Sequence, residues 1–585
     1  MDHLKALSAM FRGLQVKDIS PGRQLWPHPY VLIAIAALLA VLGLSFTRFL
    51  AIGPNYWDLS LYLDAAHRIA NGQIPNVDFL TPAGPLQYYQ FYFISKIFPN
   101  AHPLLASQWA ILIIALPLFA ILIAPVDRVS RTLSTCLTLP FLCFALLPLN
   151  TEMAYPAPGF DGYGIYNRHP ALLLYILVAA LLYLPGRKRL YFIIGTVMLG
   201  LFLTKITGFV SGALIIGYAL IAGRLRFMPL ILWALAVIVI LAVLELASGL
   251  VTGYLTNLLQ LASLNEGSFS RRFRPFTGNH LDIFIPMGIA ALLLAVTAWQ
   301  RPIEDRPKTG AVTRVRGALD SGGGWLLAVP LLGAFFEIQN TGSQEFIYCW
   351  PAALIVLRSV WHNPVRFRAG LTAALAFTAI LLIGNILHRG LQTILASTTY
   401  RHLDAPELGA LGQVSARPNY FNRAIALNQH YADTREAYRK LAGQGVPHSD
   451  ILTAEPDFQL GWLMNTAAAA RAIINFEINT GRRLETLYSI DFTDPFPFML
   501  DRKPLRFVQI GLDVRRTLPQ GDKRMLSSIA SAHGILVPLC PVMPMRETLL
   551  KAFAPALEGR QRISLTPCWD LLIRNGSDFA KLPSR

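Results

Sequence analysis

Asp58, Asp64 and Asp78 fall in the first polar stretch of an otherwise apolar chain, directly after its first long hydrophobic run. A carboxylate beside a membrane surface can take a proton from an incoming hydroxyl, or simply cap a helix or turn. Asp64 and Arg68 stand four residues apart, the spacing of an ordinary surface ion pair. Asp58 has no such partner in sequence. It reads either as a helix-start carboxylate behind an Asn55 N-cap, or as a general base placed where a lipid-borne substrate arrives. Asp78, ahead of the turn Thr81-Pro82-Ala83-Gly84-Pro85, is equally a turn carboxylate and a substrate-binding candidate.

A second polar stretch holds Asn150-Thr151-Glu152, Asp161 between Phe160 and Gly162, and Arg168 at the edge of the next apolar run. The glycines flanking Asp161 suggest a turn role for it. Arg168 suits a bidentate grip on phosphate or an anchor at lipid headgroups. Lys205 lies between two apolar runs, where an ammonium either snorkels or binds an anion. Arg271, Arg272, Arg274 and His280 make the most basic external stretch and could hold a lipid phosphate or headgroups. Glu337, Gln344 and Glu345 flank a short turn that could touch acceptor hydroxyls.

These groups must be positioned by membrane helices. The chain is 54% hydrophobic and 15% charged, with positive mean hydropathy, a membrane composition. Apolar runs of about 16–22 residues, long enough to span a bilayer, occur near 30–50, 104–124, 133–149, 170–185, 190–205, 207–222, 228–247, 281–299, 325–338, 345–359 and 369–387. Placing the basic clusters at Arg128/Arg131, Arg187–Arg189, Arg224/Arg226, 301–316 and Arg358/Arg366/Arg368 in the cytoplasm yields about eleven spans. The N-terminus is then inside, and the loops at 53–103, 150–169, 248–280 and 339–344 are external. Pro85–Phe98, with Gln87, Gln90, Ser95 and Lys96 three to four apart, reads as an interfacial helix on the outer leaflet. Lys96 joins the donor-side candidates.

Residues 1–29 form a cytoplasmic segment rather than a signal peptide, residues 30–389 the membrane domain, and residues 390–585 an extracytoplasmic mixed α/β domain. A helical pattern near 421–442 and apolar runs at Phe507–Leu512 and Ile535–Leu539 support the last. Cys136, Cys143 and Cys349 are small hydrophobes in apolar runs, whereas Cys540 and Cys568 could pair outside the cytoplasm. The formal charge of +17 belongs to topology rather than nucleic acid, since no basic stripe alternates with aromatics. No metal-ligand spacing is present, no cofactor is indicated, and a divalent metal is compatible but not called for.

The order of first span, external Asp58, helix, Gly72-x-x-Pro75, Asp78-Phe79 and Pro82-x-Gly84-Pro85-Leu86-x-Tyr88-Tyr89 resembles the start of GT-C type integral-membrane glycosyltransferases. The likeness is closest to the protein-mannosyltransferase and aminoarabinose-transferase branch. It covers residues 30 to about 100 well, and the remaining spans in pattern only. The resemblance implies a polytopic helical fold with a catalytic carboxylate early in the first external loop. It also implies transfer of a sugar from a polyprenyl-phosphate donor to an extracytoplasmic lipid, polysaccharide or protein at the plasma (inner) membrane. Two departures stand out: Asp58-Leu59 where the family often has Asp-Glu, and Ala83-Gly84 where many members carry a lysine for donor phosphate.

A lipid phosphate is a good leaving group, so one base and cations for the developing charge suffice, with inversion at the anomeric centre. This assigns Asp58 as base, and the resemblance implies Asp161 as a second acid. Arg168, Lys205 and the Arg271–Arg274 cluster compete for the phosphate, with Asp78, Lys96 and His280 as further binding candidates. Alternative functions are a transporter or flippase of envelope components, which commonly shows two similar halves and mid-membrane charges, and a non-catalytic membrane scaffold.

Overall fold

A computed structural model describes residues 27–150, 157–184, 187–265, 268–299, 310–340, 344–362, 367–444, 446, 456–514, 516–518, 521–574 and 580–581. Thr151, Glu152 and Arg366 lie outside the described residues. The first half of the helical region comprises α1 (Pro29–Ser45), α2 (Leu59–Ala70), α3 (Leu86–Ile97), α4 (Pro103–Trp109), α5 (Leu112–Val129), α6 (Arg131–Leu146), α7 (Ile165–Tyr183), α8 (Arg187–Thr204) and α9 (Ile206–Ile221). The second comprises α10 (Phe227–Ser248), α11 (Leu250–Leu264), α12 (Ser268–Asn279), α13 (Leu281–Trp299), α14 (Ala311–Leu319), α15 (Gly322–Gln339), α16 (Trp350–His362), α17 (Arg368–Ala379) and α18 (Asn385–Ser397).

The eleven apolar runs are mostly helical, those at 104–124 and 369–387 each divided between two helices and that at 345–359 entering its helix only at Trp350. By length and composition, six helical stretches among the described residues can cross a membrane: Pro103–Val129, Ile165–Tyr183, Phe227–Ser248, Leu281–Trp299, Gly322–Gln339 and Arg368–Ser397. Four shorter apolar helices accompany them. The central post is α7, buried along nearly its whole length and packed against α5, α8, α9 and α16. Its opposite is α10, which buries none of its residues and exposes apolar side chains such as Leu232, Ile238 and Leu246. A helix apolar on every side with no protein over it is stable only in an apolar surrounding, so the chain is a multi-pass membrane protein.

After α18, short strands and helices build a mixed α/β unit. Its main sheet runs Leu487–Ser489, Gly534–Pro538, Trp569–Arg574, Arg560–Thr566 in space, the first pair parallel and the others antiparallel. Cys540 and Cys568 form a disulfide beside it. The 421–442 pattern becomes helices Pro418–Asp433 and Arg435–Gly443, and Gly534–Pro538 is a buried strand. The Phe507–Leu512 run does something else. It pairs with the loop that follows the first apolar helix, the Leu80 N–H donating to Val508 O (2.9 Å) and the Ile510 N–H to Leu80 O (3.0 Å).

That pairing is one of several seams. Leu50–Ala51 adds a parallel strand to Val414–Ala416, the Trp57 N–H donates to Gln459 Oε1 (3.0 Å) and the Tyr56 hydroxyl to Leu411 O (3.2 Å). Trp57, Leu61, Ala65 and Phe79 share one apolar cluster with Leu460, Leu463, Val508 and Leu536, separate from the cluster between the spans. The first loop therefore folds onto the C-terminal unit, and two local expectations fail. Asp64 and Arg68 pair, but both are buried rather than on the surface, with Arg68 also donating to Leu505 O. Asn55 adopts left-handed backbone (φ 49) and caps nothing with its side chain. On α3 the glutamines Gln87 and Gln90 turn inward, leaving Phe93, Lys96 and Ile97 exposed. At 12 residues, or about 18 Å, α3 is too short to span.

Candidate active site

Two backbone zippers bring the candidate residues together. The first joins the chain after α1 to the chain before α7: the Phe160 N–H donates to Ala51 O (2.9 Å) and the Gly162 N–H to Pro54 O (3.2 Å). A Cβ on Gly53 would lie 2.2 Å from Phe160 O, and one on Gly159 2.2 Å from Ile52 O, so the approach requires glycine on both sides. The result places Gly164, the residue that starts α7, beside Asp58.

Asp58 closes a short 3-10 turn, Tyr56–Asp58, at the head of α2 and is 5% exposed. No cation lies within ion-pair distance of it among the described residues. Burial pushes its carboxyl up to about 7, against the pull of the Gly164 N–H and of Arg168. Such a group exchanges a proton near neutral pH, as a general base requires. Tyr62, Tyr88 and Tyr166 stand around it within electrostatic reach.

Asp161 and Arg168 are both fully buried and ion-paired to each other. Arg168 also donates to Gln108 Oε1 (3.1 Å) and Tyr163 O (2.6 Å). The second carboxylate oxygen of Asp161 accepts from the Asn150 N–H (2.9 Å), with Arg389 3.9 Å away. Asp161 therefore has its oxygens taken and acts as a brace rather than an acid, and Arg168 is spent on that brace rather than free for a phosphate. Neither Gln108 nor Arg389 carries a motif that would have announced its part.

The second zipper seats the Pro82–Pro85 turn on the end of α8. The Gly84 N–H donates to Thr204 O (2.8 Å), and a Cβ on Gly84 would come within 2.2 Å of Leu203 O. Lys205, the single residue linking α8 and α9, thus lies next to the position where a lysine was missing from the sequence pattern. Its ammonium stands 4.6 Å from the centre of the Tyr166 ring. Among the described residues no carboxylate pairs with it. Burial, followed by the like charge of Arg516, brings it down to about 7. Arg272 on α12 is likewise held down by burial and then by Arg516. Arg516, half exposed, has Asp513 at 3.7 Å. Lys205, Arg272 and Arg516 therefore form a cluster of cations with one carboxylate among them, which an arriving anion would relieve. Arg516 belongs to the C-terminal unit, some three hundred residues from Lys205, and only folding reveals it.

The remaining candidates are engaged elsewhere. Asp78 pairs with Arg506 and accepts from the Ile74 N–H (2.8 Å), the turn role. His280 pairs with Glu345 and stacks on Phe276. Lys96 lies over the Tyr92 ring of its own helix (5.6 Å). Arg271 and Arg274 are exposed on α12. Gln344 donates to Phe144 O (2.7 Å), and Glu337 accepts from the Phe346 N–H (3.1 Å), so both serve local structure. Among the described residues no three His, Cys, Asp or Glu side chains group as a metal site.

No family model matches the chain, and no curated protein does. Among solved structures, it is similar to ArnT from Cupriavidus metallidurans bound to undecaprenyl phosphate, at 14% identity and a TM-score of 0.40, over 94% of this chain and 99% of that one. The apo state of the same protein matches at 15% identity and 0.36, over 93% and 97%. The archaeal oligosaccharyltransferase AglB from Archaeoglobus fulgidus, in complex with an inhibitory peptide and a dolichol-phosphate, matches at 12% identity and 0.36, over 94% and 75%. At TM-scores this low, the likenesses say nothing of which residues act.

Proposed function

We propose that this chain is a membrane glycosyltransferase that moves a sugar from a polyprenyl-phosphate donor to an extracytoplasmic acceptor, with inversion. The observation that carries the reading is the placement of a buried, unpaired carboxylate, Asp58, across Tyr166 from the cation cluster of Lys205, Arg272 and Arg516. One side can take a proton and the other can hold a phosphate.

In this reading the acceptor hydroxyl gives its proton to Asp58 as its oxygen bonds to the anomeric carbon. The bond from that carbon to the phosphate oxygen breaks, and its electron pair leaves on the phosphate. Lys205 and Arg516 stabilise that charge. Asp161 and Arg168 hold the Gly164 end of α7 against Asp58. The membrane domain supplies about eleven spans with the N-terminus in the cytoplasm, and the first loop and C-terminal unit lie outside the plasma membrane. The Cys540–Cys568 disulfide suits an oxidising compartment.

Lipid extracts from cells lacking the protein test the reading. An accumulated polyprenyl-phosphate sugar, lost on complementation with the wild type and retained with Asp58→Asn, is expected. Unchanged lipid pools together with unchanged surface glycans would overturn it.

A further inference from the structure

The first turn of α7 carries a polar group to which the reading above gives no task. Gly164, in left-handed backbone (φ 67), starts the helix, and its N–H acts on the Asp58 carboxylate. Tyr166 follows two residues later. Arg168 comes two residues after that, locked by Asp161, Gln108 Oε1 (3.1 Å) and Tyr163 O (2.6 Å). The turn is thus pinned on both sides of Tyr166. Over its ring stands the Lys205 ammonium, 4.6 Å from the centre, and both Asp58 and Arg516 are within electrostatic reach.

Three tyrosines surround Asp58, and their hydroxyls differ. Tyr62 spends its own on Gln87 Oε1 (3.1 Å), and that of Tyr88 is drawn to the Thr81 side chain. Both residues are buried. Tyr166 is half-buried, and its hydroxyl oxygen is not sealed off by protein. Among the described residues no hydrogen bond engages that hydroxyl, to Asp58 or to any other group.

A phenol ordinarily keeps its proton to about pH 10, so at neutral pH it offers a donor. Lys205, Arg272 and Arg516 are donors themselves and outnumber the one carboxylate among them, Asp513. The group that such a cluster takes up is an anion. An anion held by Lys205 and Arg516 comes to rest beside the ring that both approach, where the unspent hydroxyl can reach it.

We infer that Tyr166 is a further catalytic residue, its hydroxyl donating a hydrogen bond to the phosphate that Lys205 and Arg516 hold. This rests on the transferase reading and adds a neutral donor to its cations. The phosphate gains negative charge as its bond to the anomeric carbon breaks, so a donor fixed at that oxygen counts for more in the transition state than in the bound lipid. The hydroxyl gives up no bond within the protein to make this one.

Binding to the full-length protein in nanodiscs tests the inference with two probes, decaprenyl phosphate and decaprenol, which share a chain and differ in the phosphate. Tyr166→Phe keeps the ring and its cation–π contact and removes only the hydroxyl. It should weaken binding of decaprenyl phosphate by about tenfold, the lower end for a lost hydrogen bond to a charged group, and leave decaprenol unchanged. Without either probe, the melting transition should not move. Decaprenyl phosphate bound as tightly by Tyr166→Phe as by the wild type overturns the inference, as does an equal loss for both probes. A variant that melts lower or does not fold overturns it too, since the hydroxyl then serves the protein itself. In those cases, loss of decaprenyl phosphate binding in Lys205→Met leaves the transferase reading standing. A wild-type protein that binds decaprenyl phosphate no better than decaprenol overturns both.

Discussion

Lys205 holds its ammonium 4.6 Å from the centre of the Tyr166 ring, where a cation–π contact takes the place of a carboxylate partner. Tyr166 in turn is within electrostatic reach of Asp58 and Arg516. This one aromatic ring therefore separates the group proposed to accept a proton from the groups proposed to hold a phosphate. Replacing Lys205 with Met should lower kcat/KM for the lipid donor by about 10²-fold, the usual loss on removing one stabiliser of developing charge. The melting transition should be unchanged or raised, because a buried unpaired ammonium has been removed. A lowered melting transition with undiminished transfer would show a structural lysine instead.

Asp58→Asn should cost about 10²–10⁴-fold in transfer, the range for a lost general base, while making the protein more stable at pH 8. The carboxyl is raised in the folded state from 3.8 to about 7, so the fold prefers it protonated. Its favourable contribution is full below about pH 3.8 and is lost as pH rises through about 7. At pH 8 the buried charge weakens the fold, and the amide should recover on the order of 4 kcal/mol. Melting curves at pH 5 and 8 check this. A destabilised Asp58→Asn at pH 8 would mark a helix-start role.

The pH dependence of kcat/KM should be bell-shaped and centred close to neutrality. Below about 7 the base is protonated, and above about 7 Lys205 in the free protein loses its proton. Each limb should fall about tenfold per pH unit. Lys205→Arg, which stays charged, should remove the basic limb and keep the acidic one. A profile flat from pH 5 to 9 would remove Asp58 from the chemistry.

Arg516 is half exposed at the mouth of the cluster, so its effect should be on capture of the donor. Arg516→Ala should reduce kcat/KM by about tenfold at low salt and flatten its dependence on ionic strength, since screened attraction is what is lost. An unchanged salt dependence would place Arg516 outside the donor's path.

The Asp161–Arg168 pair is a brace, and its failure should appear as instability. Either Asp161→Asn or Arg168→Met alone should cost about 3–5 kcal/mol, because a buried charge is left uncompensated. The double substitution Asp161→Asn with Arg168→Met should recover part of that loss. Additive losses in the double-mutant cycle would contradict the pairing. Reduction of Cys540–Cys568, which encloses a separation of 28 residues, should cost about 3–4 kcal/mol in the C-terminal unit.

Much of this was legible in the order of residues. The apolar runs are mainly helical, because a segment that must satisfy its backbone within a bilayer has few other choices. Asp58 could be singled out as a base candidate from its place after the first span, and Lys205 from an ammonium standing between apolar runs. Local patterns failed where burial depends on a distant segment. Asp64–Arg68 has the spacing of a surface pair, but the chain around Leu505 covers it. Arg168 has the chemistry of a phosphate ligand, but Asp161 consumes it. The gap left by Ala83-Gly84 was a defect only along the chain. Because glycine lets two backbones meet there, Lys205 is delivered to the same place from the junction of α8 and α9, and Arg516 from another unit. Residue types and their spacing thus determined the membrane helices and a short set of candidates. Which candidates remain unpaired, and so able to react, was decided by tertiary contacts, from the Asp161–Arg168 pair within one short stretch to the approach of Arg516 to Lys205 from another unit.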